Sequence, residues 1–202
     1  MISCDTPIVI LHGLGNRAWT LTGLELYLTW HGYTDVYRPQ YNADQTPEKA
    51  IVEVSGLLLR HFKGDHHRPI VVIGNSMGGV VAFALHACGW KIELAIAVNS
   101  PLNGSTLLRD LDAVLPKWLM DVCGGNSPTC MELKRRIWNG IPPHPYKTIG
   151  MALPFMNSDG LVYSKDATIE PEHHRALGWG SHHTVVADPR VYLEILRILQ
   201  TQ

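Results

Sequence analysis

Ser76 lies in a pattern that can make a hydroxyl reactive. A serine hydroxyl is a weak nucleophile at neutral pH until a base removes its proton, and it must also stand clear of its own backbone. The run Gly74-Asn75-Ser76-Met77-Gly78-Gly79 follows a buried-strand pattern and precedes a helix pattern. A sharp strand-to-helix turn of this kind exposes the serine at its corner. A glycine-rich turn can instead hold a phosphate, but a phosphate loop has a lysine where Met77 stands. The run therefore predicts that Ser76 is a nucleophile.

A second motif, His12-Gly13-Leu14-Gly15, follows the first apolar run of the chain. Together the two motifs resemble the α/β-hydrolase superfamily, specifically its small lipases and esterases, and the similarity extends over nearly the whole chain. Asn75 departs from the pattern, because lipases of this kind often carry histidine there. The resemblance implies a serine carboxylic ester hydrolase that forms a covalent acyl-enzyme on a small acyl ester or lipid, without a metal or organic cofactor.

The same resemblance implies an acid and a base further along the chain, because the triad of this superfamily runs in the order serine, acid, histidine. Asp159 lies in an Asp-Gly loop after a late strand pattern, and we expect it to be the acid, with Asp166 as the reserve candidate. Near the C-terminus two histidines are adjacent. We expect His183 to be the base, with His182 as the alternative, since only one of two neighbouring loop residues can face Ser76.

The resemblance also implies an oxyanion hole. Acyl transfer develops negative charge on the carbonyl oxygen, and two hydrogen-bond donors must already be in place to stabilise it. The geometry of the superfamily suggests the backbone N–H groups of Leu14 and Met77. Leu14 follows the apolar run at residues 8–11, and Met77 follows the one at residues 70–73. If both runs are strands of one parallel sheet, both donors are expected at the same edge of that sheet.

Alternating strand and helix patterns must position these residues. Apolar runs without alternation at residues 8–11 and 70–73 indicate strands buried on both faces. Further strands are predicted at 36–37, 94–98 and 148–153, and helices at 21–30, from 46 onward, 80–88 and 189–199. This order predicts an α/β fold with a mostly parallel sheet flanked by helices on both faces. The active site of such a sheet lies at the carboxyl ends of its strands, where both motifs fall.

We expect one domain over residues 1–202, with a helical insertion at about 101–145 in the place where related hydrolases carry a cap. Apolar residues recur at helical spacing between Leu107 and Leu119, and a charged helix is predicted at 131–138. The first of these helices is expected either to form the wall of an acyl pocket or to pack on the sheet as core. A mobile, apolar insertion favours lipid esters, and a fixed one favours short soluble esters.

Composition excludes several partner classes. With 46% hydrophobic residues, 17% charged residues and a net charge of −1, the chain has the makings of a packed core and no field that attracts nucleic acid or anionic lipid. Its apolar runs are too short for a transmembrane helix. The N-terminus shows no export signal, so we expect a cytoplasmic protein, or a secreted one if a signal peptide has been removed. The sequence leaves the oligomeric state open.

The cysteines and paired histidines are not arranged as a metal site. Four cysteines lack C-x-x-C spacing, and Cys123 and Cys130 flank a flexible stretch that would allow a disulfide in an oxidising compartment. The pairs His66-His67 and His173-His174 lack acidic or cysteine partners at ligand spacing, so no metal is expected.

Two other functions remain open. A thioesterase or amidase would use the same serine, base and oxyanion hole on another acyl group. A hydrolase fold without catalytic activity would act as a binding module, although the presence of serine, acid and histidine in the expected order argues against it.

Overall fold

Six strands form the centre of the protein in a computed structural model that describes residues 1–104, 106, 132, 135 and 145–202. The strands are β1 (Ile8–Leu11), β2 (Val36–Tyr37), β3 (Ile70–Asn75), β4 (Ile92–Val98), β5 (Tyr146–Ala152) and β6 (His174–Trp179). They form one sheet in the order β2-β1-β3-β4-β5-β6, and every neighbouring pair is parallel. The predicted parallel sheet is confirmed.

Helices cover both faces of this sheet, as predicted. In the described part of the chain they are α1 (Thr22–Trp30), α2 (Pro47–His61), α3 (Met77–Ala84), α4 (Ser164–Ala167) and α5 (Pro189–Thr201). Buried residues of α1 and α5 share one core cluster, and those of α2 and α3 share the other. The described helices include none that is long and apolar enough to cross a membrane.

Strand β1 shows why the apolar runs do not alternate. Ile8 and Ile10 pack in the cluster of α1 and α5, whereas Val9 and Leu11 pack in the cluster of α2 and α3. All four side chains are at most 1% exposed. A strand covered by helices on both faces gains hydrophobic burial at every position, so each position favours an apolar residue.

The strand order creates a crevice at one edge of the sheet. Strand β1 has β2 on one side and β3 on the other, so the connections after β1 and β3 leave in opposite directions. Ligands of open parallel sheets bind outside the carboxyl ends of strands at such a reversal. Both motifs, at His12 and at Ser76, follow these two strands directly.

Two of the differences from the sequence prediction concern a helix next to Ser76 and a strand of the sheet. The helix predicted at 80–88 begins at Met77, directly after Ser76, and its last part, Leu85–Cys88, is a 3-10 helix. Strand β6 was not predicted. Among the described strands it lies at the edge of the sheet and pairs with β5 alone. None of its residues is fully buried, so it carries little of the apolar signal of an inner strand.

Most of the predicted insertion lies outside the described residues. The two helices predicted within 101–145 and the Cys123–Cys130 disulfide therefore stay predictions, as does the division into one domain with an insertion. Cys4 and Cys88 are exposed free thiols.

Candidate active site

Ser76 occupies a strained corner between β3 and α3. Its backbone has φ 53° and ψ −122°, a conformation that residues other than glycine rarely adopt. The Ser76 N–H donates to the carbonyl of Val98 at 2.9 Å, which ties the corner to the end of β4. Strain of this kind persists only where the surrounding structure enforces it, and it turns the serine side chain away from its own backbone.

The glycines of the motif are required by close backbone contacts. A Cβ added to Gly74 would lie 2.2 Å from the carbonyl oxygen of Gly78, and a Cβ on Gly78 would lie 2.4 Å from the carbonyl oxygen of Leu11. Both distances are far below van der Waals contact. The turn therefore closes only with glycine at these two positions, and this closure brings the start of α3 against β1.

His182 is the imidazole that contacts Ser76. Its Nε2 lies 2.9 Å from Ser76 Oγ, and its Nδ1 lies 2.6 Å from Asp159 Oδ2. The backbone N–H of His182 also donates to the Asp159 carbonyl at 2.9 Å, so the two loops are joined twice. Serine, imidazole and carboxylate form one hydrogen-bonded chain, the arrangement in which a base can accept a serine proton.

His183 is not in contact with Ser76, so the sequence prediction of that contact is wrong. The His183 side chain is exposed, and its ring lies 6.0 Å from the His182 ring at an interplanar angle of 89°. Successive residues of a loop point in different directions, and here the hydrogen bond from His182 N–H to Asp159 fixes which of the two faces the serine. His182, the alternative, occupies the position expected for the base.

Asp159 is buried and has four hydrogen-bond donors. Oδ1 accepts from the N–H groups of Leu161 at 2.9 Å and Val162 at 2.7 Å, while Oδ2 accepts from Asn99 Nδ2 and faces His182 Nδ1. Burial acts to raise the pKa of Asp159, but the hydrogen bond and charge of His182, with the two backbone N–H groups, outweigh it and lower the pKa. The carboxylate is therefore held ionised.

Asp166, the reserve candidate for the acid, bonds elsewhere. Its carboxylate accepts from the Thr106 N–H at 2.7 Å and lies 2.8 Å from Thr106 Oγ1. The Asp166 side chain thus ties the beginning of the predicted insertion to α4, and Asp159 is the carboxylate that contacts His182.

The two predicted oxyanion donors belong to the two segments next to Ser76, the start of α3 and the loop after β1. Met77 is the first residue of α3, so its N–H belongs to the helix start, where no intrahelical acceptor exists. Leu14 follows Gly13, where an added Cβ would lie 2.8 Å from Ser76 Cβ. The Gly13–Gly15 loop is held in place by a hydrogen bond from the Gly15 N–H to Asp44 Oδ1 at 2.7 Å. The role of the Leu14 and Met77 N–H groups as an oxyanion hole stays a prediction.

His12 is buried beneath this loop. Its ring stacks on Tyr41 with centroids 4.5 Å apart, and desolvation by burial lowers its pKa. A neutral ring in this place packs as an aromatic side chain and supports the loop that carries Leu14.

One cluster with metal-ligand atoms occurs among the described residues, and it includes none of Ser76, Asp159 and His182. Ligand atoms of Glu170, Glu172 and His173 lie within 4.8 Å of one another, although the sequence suggested no acidic partner for His173. The Lys147 Nζ, however, lies 3.1 Å from His173 Nδ1. A cationic amine at that distance competes with a metal ion for the imidazole.

Solved structures similar to this one include several lipases and esterases. Lipase BlEst2 of Bacillus licheniformis in its mature form is 17% identical, with a TM-score of 0.69 over 98% of this chain and 94% of that one. A lipase-esterase related protein of Clostridium acetobutylicum is 16% identical, with a TM-score of 0.63 over 98% and 96%. A metagenomic carboxyl esterase is 15% identical, with a TM-score of 0.67 over 98% and 77%.

Because the sequence identities are low, these similarities show a shared fold and nothing finer. No curated protein sequence matches the chain significantly. The model of the alpha/beta hydrolase family matches residues 8–193, which is most of the chain. The protein therefore belongs to the alpha/beta hydrolase family.

Proposed function

We propose that this protein is a serine carboxylic ester hydrolase with Ser76 as nucleophile, His182 as base and Asp159 as acid. The observation that carries the proposal is the continuous hydrogen-bonded chain from Ser76 Oγ through both nitrogens of His182 to Asp159 Oδ2. Family membership and the lipase and esterase neighbours support hydrolysis as the reaction class.

In the first half of the reaction, His182 Nε2 accepts the Ser76 proton as Ser76 Oγ attacks the carbonyl carbon of the ester. Asp159 accepts a hydrogen bond from Nδ1–H, which keeps the unprotonated nitrogen toward the serine and stabilises the imidazolium that forms. His182 then gives its proton to the leaving alcohol, and the acyl group remains on Ser76.

The negative charge on the former carbonyl oxygen is stabilised by the N–H groups of Leu14 and Met77. Met77 lies at the N-terminus of α3, where the helix dipole adds partial positive charge. Loss of one such donor lowers turnover by about a hundred- to a thousandfold in serine hydrolases. In the second half of the reaction, water attacks the acyl group with His182 as base and Ser76 is restored.

The substrate we propose is a small acyl ester or a lipid ester. The described part of the chain carries the catalytic groups, while the predicted cap that would contact the acyl group falls in the insertion at about 101–145. Acyl-chain preference is therefore the property that the insertion should set, and it separates an esterase from a lipase.

Hydrolysis of p-nitrophenyl esters, from acetyl to palmitoyl, by the wild-type protein beside Ser76→Ala tests this function. Ser3→Ala is a matched control, since Ser3 is exposed near the N-terminus. We expect hydrolysis by wild type and Ser3→Ala and a loss of at least about a thousandfold in Ser76→Ala. Labelling by a fluorophosphonate probe should follow the same pattern.

Each failure has a distinct meaning. Probe labelling at Ser76 without ester hydrolysis would favour a thioesterase or amidase. A folded protein that neither reacts with the probe nor hydrolyses any acyl substrate would exclude a serine hydrolase and favour a binding module.

A further inference from the structure

Asn99 contacts Asp159, the proposed acid, and has no role in the proposed reaction. It directly follows β4, is 1% exposed, and its side-chain Nδ2 lies 2.6 Å from Asp159 Oδ2. The backbone of Asn99 has φ 45°, in the left-handed region that asparagine tolerates better than most residues. Its own N–H donates to the carbonyl of Ile149 at 2.9 Å, which ties it to β5.

The orientation of the Asn99 amide follows from its neighbours. The backbone N–H of Met151 lies 2.8 Å from Asn99 Oδ1, and an N–H can only donate. The oxygen must therefore face Met151, and the amide NH₂ must face Asp159. Asn99 is consequently a donor to the carboxylate of Asp159. The orientation of its amide is fixed by Met151 in β5, the strand that precedes the loop carrying Asp159.

The two oxygens of Asp159 have different roles. Oδ1 is held by the backbone N–H groups of its own loop, at Leu161 and Val162, whereas Oδ2 is shared by His182 and Asn99. The loop contacts alone fix one oxygen. Asn99 supplies the contact that holds the second oxygen toward His182.

The end of β4 also contacts the nucleophile. Val98, which precedes Asn99, accepts the hydrogen bond from the Ser76 N–H at 2.9 Å. Two successive residues thus hold the serine corner and the acid side chain at once. The distance between nucleophile and acid is set by a buried inner strand, and a rigid element of this kind positions catalytic groups more accurately than a loop.

We propose that Asn99 is a positioning residue that keeps Asp159 Oδ2 directed at His182. The inference rests on the proposed function, because Asp159 and His182 work as acid and base only in that reaction. Asn99 contacts Asp159 and has no part in proton transfer itself.

Two substitutions at this position separate positioning from packing. Asn99→Leu removes the donor at similar volume. Asn99→Asp keeps an oxygen for the Met151 N–H and tolerates the left-handed backbone, but it places a second carboxyl group beside Asp159. Two carboxyl groups so close share a proton, and the second negative charge appears only when that proton leaves. His182 is the titratable side chain that contacts Asp159 in the described structure.

Asn157→Asp is the matched control, because Asn157 is exposed in the same loop, two residues before the acid. We expect Asn99→Leu to lower kcat by about ten- to a hundredfold, the loss typical of a hydrogen bond to a charged group, with KM changed by less than about threefold. In Asn99→Asp the pH profile of kcat/KM should gain an extra decline as pH rises, because the donor to Asp159 Oδ2 is lost when the proton shared by the two carboxyl groups leaves. Asn157→Asp should change neither quantity.

An NMR measurement makes the inference independent of turnover. The His182 Nδ1–H proton, assigned by its loss in His182→Ala, should shift or exchange faster in Asn99→Leu and remain unchanged in Asn157→Asp. If wild type hydrolyses no ester, the proposed function fails and this resonance alone decides the role of Asn99. If Asn99→Leu does not fold, Asn99→Asp decides it. A folded Asn99→Leu or Asn99→Asp protein with the wild-type kcat, pH profile and resonance would overturn the inference.

Discussion

Replacing each of the two adjacent histidines by alanine should have opposite consequences. His182 Nε2 lies 2.9 Å from Ser76 Oγ, and its other nitrogen faces Asp159, so His182→Ala removes the only described base in contact with the serine. His183 is exposed and contacts neither group through a described hydrogen bond. The two variants delete the same side chain from neighbouring positions, so each is the matched control of the other.

The magnitude follows from what each histidine contacts. Loss of the base of a serine triad lowers kcat by roughly ten-thousandfold to a millionfold. A ten-thousandfold loss corresponds to about 5.5 kcal/mol of transition-state stabilisation. His183→Ala should leave kcat within about threefold of wild type and the free energy of unfolding within about 0.5 kcal/mol, as is usual for an exposed side chain.

The assay is kcat/KM for a short p-nitrophenyl ester at neutral pH, with circular dichroism to confirm that both variants are folded. When the His182 side chain is removed, Asp159 keeps its contacts with Asn99, Leu161 and Val162. The loop that carries Asp159 should therefore keep its conformation. Wild-type activity in folded His182→Ala, or a loss of a thousandfold or so in His183→Ala, would refute the assignment of the base.

Three further substitutions test other contacts. Asp159→Asn should lower kcat by about ten-thousandfold, because an amide in this place favours the wrong tautomer of the base; steady-state kinetics measures it. Gly74→Ala should destabilise the fold by at least about 3 kcal/mol in urea unfolding, because the added methyl would lie 2.2 Å from a backbone oxygen. Burial lowers the pKa of His174, so the unfolded state binds more protons and the free energy of unfolding should fall as pH drops from about 7 to about 5. His174→Gln should make that slope shallower in urea titrations across this range.

Each of these changes has a control. Asp166→Asn alters a buried carboxylate outside the triad and should leave kcat close to wild type. Gly56→Ala lies in α2, where the nearest atom to an added Cβ is 3.7 Å away, and should stabilise the protein by about 0.5–1 kcal/mol. His67→Gln changes an exposed histidine and should leave the pH slope as it is in wild type. A tolerated Gly74→Ala, a fully active Asp159→Asn or an unchanged slope in His174→Gln would each contradict the reasoning for that residue.

The sequence predicts those parts of the fold and site that depend on local patterns. Ser76 is recognisable because the glycines around it are required by backbone contacts within a few residues and with β1. The inner strands are recognisable because burial on both faces makes every position apolar, as at Ile8–Leu11.

Features that depend on tertiary contacts are not predictable in this way. The choice between His182 and His183 is fixed by a backbone hydrogen bond to a loop more than twenty residues earlier, and nothing in the local sequence records it. Strand β6 escapes detection because a polar edge strand resembles a loop. Asn99 carried one signal that was available, a polar residue directly after a buried strand at the carboxyl edge of the sheet.

The backbone conformation of Ser76 sets thermal stability against chemistry. A residue other than glycine in such a region costs about 1–3 kcal/mol, and glycine would remove most of that cost. Directed evolution for heat resistance alone would therefore favour Ser76→Gly, the change that deletes the hydroxyl. Directed evolution of this protein for stability therefore needs a parallel screen for turnover, because selection for stability favours glycine at position 76 and selection for turnover favours serine.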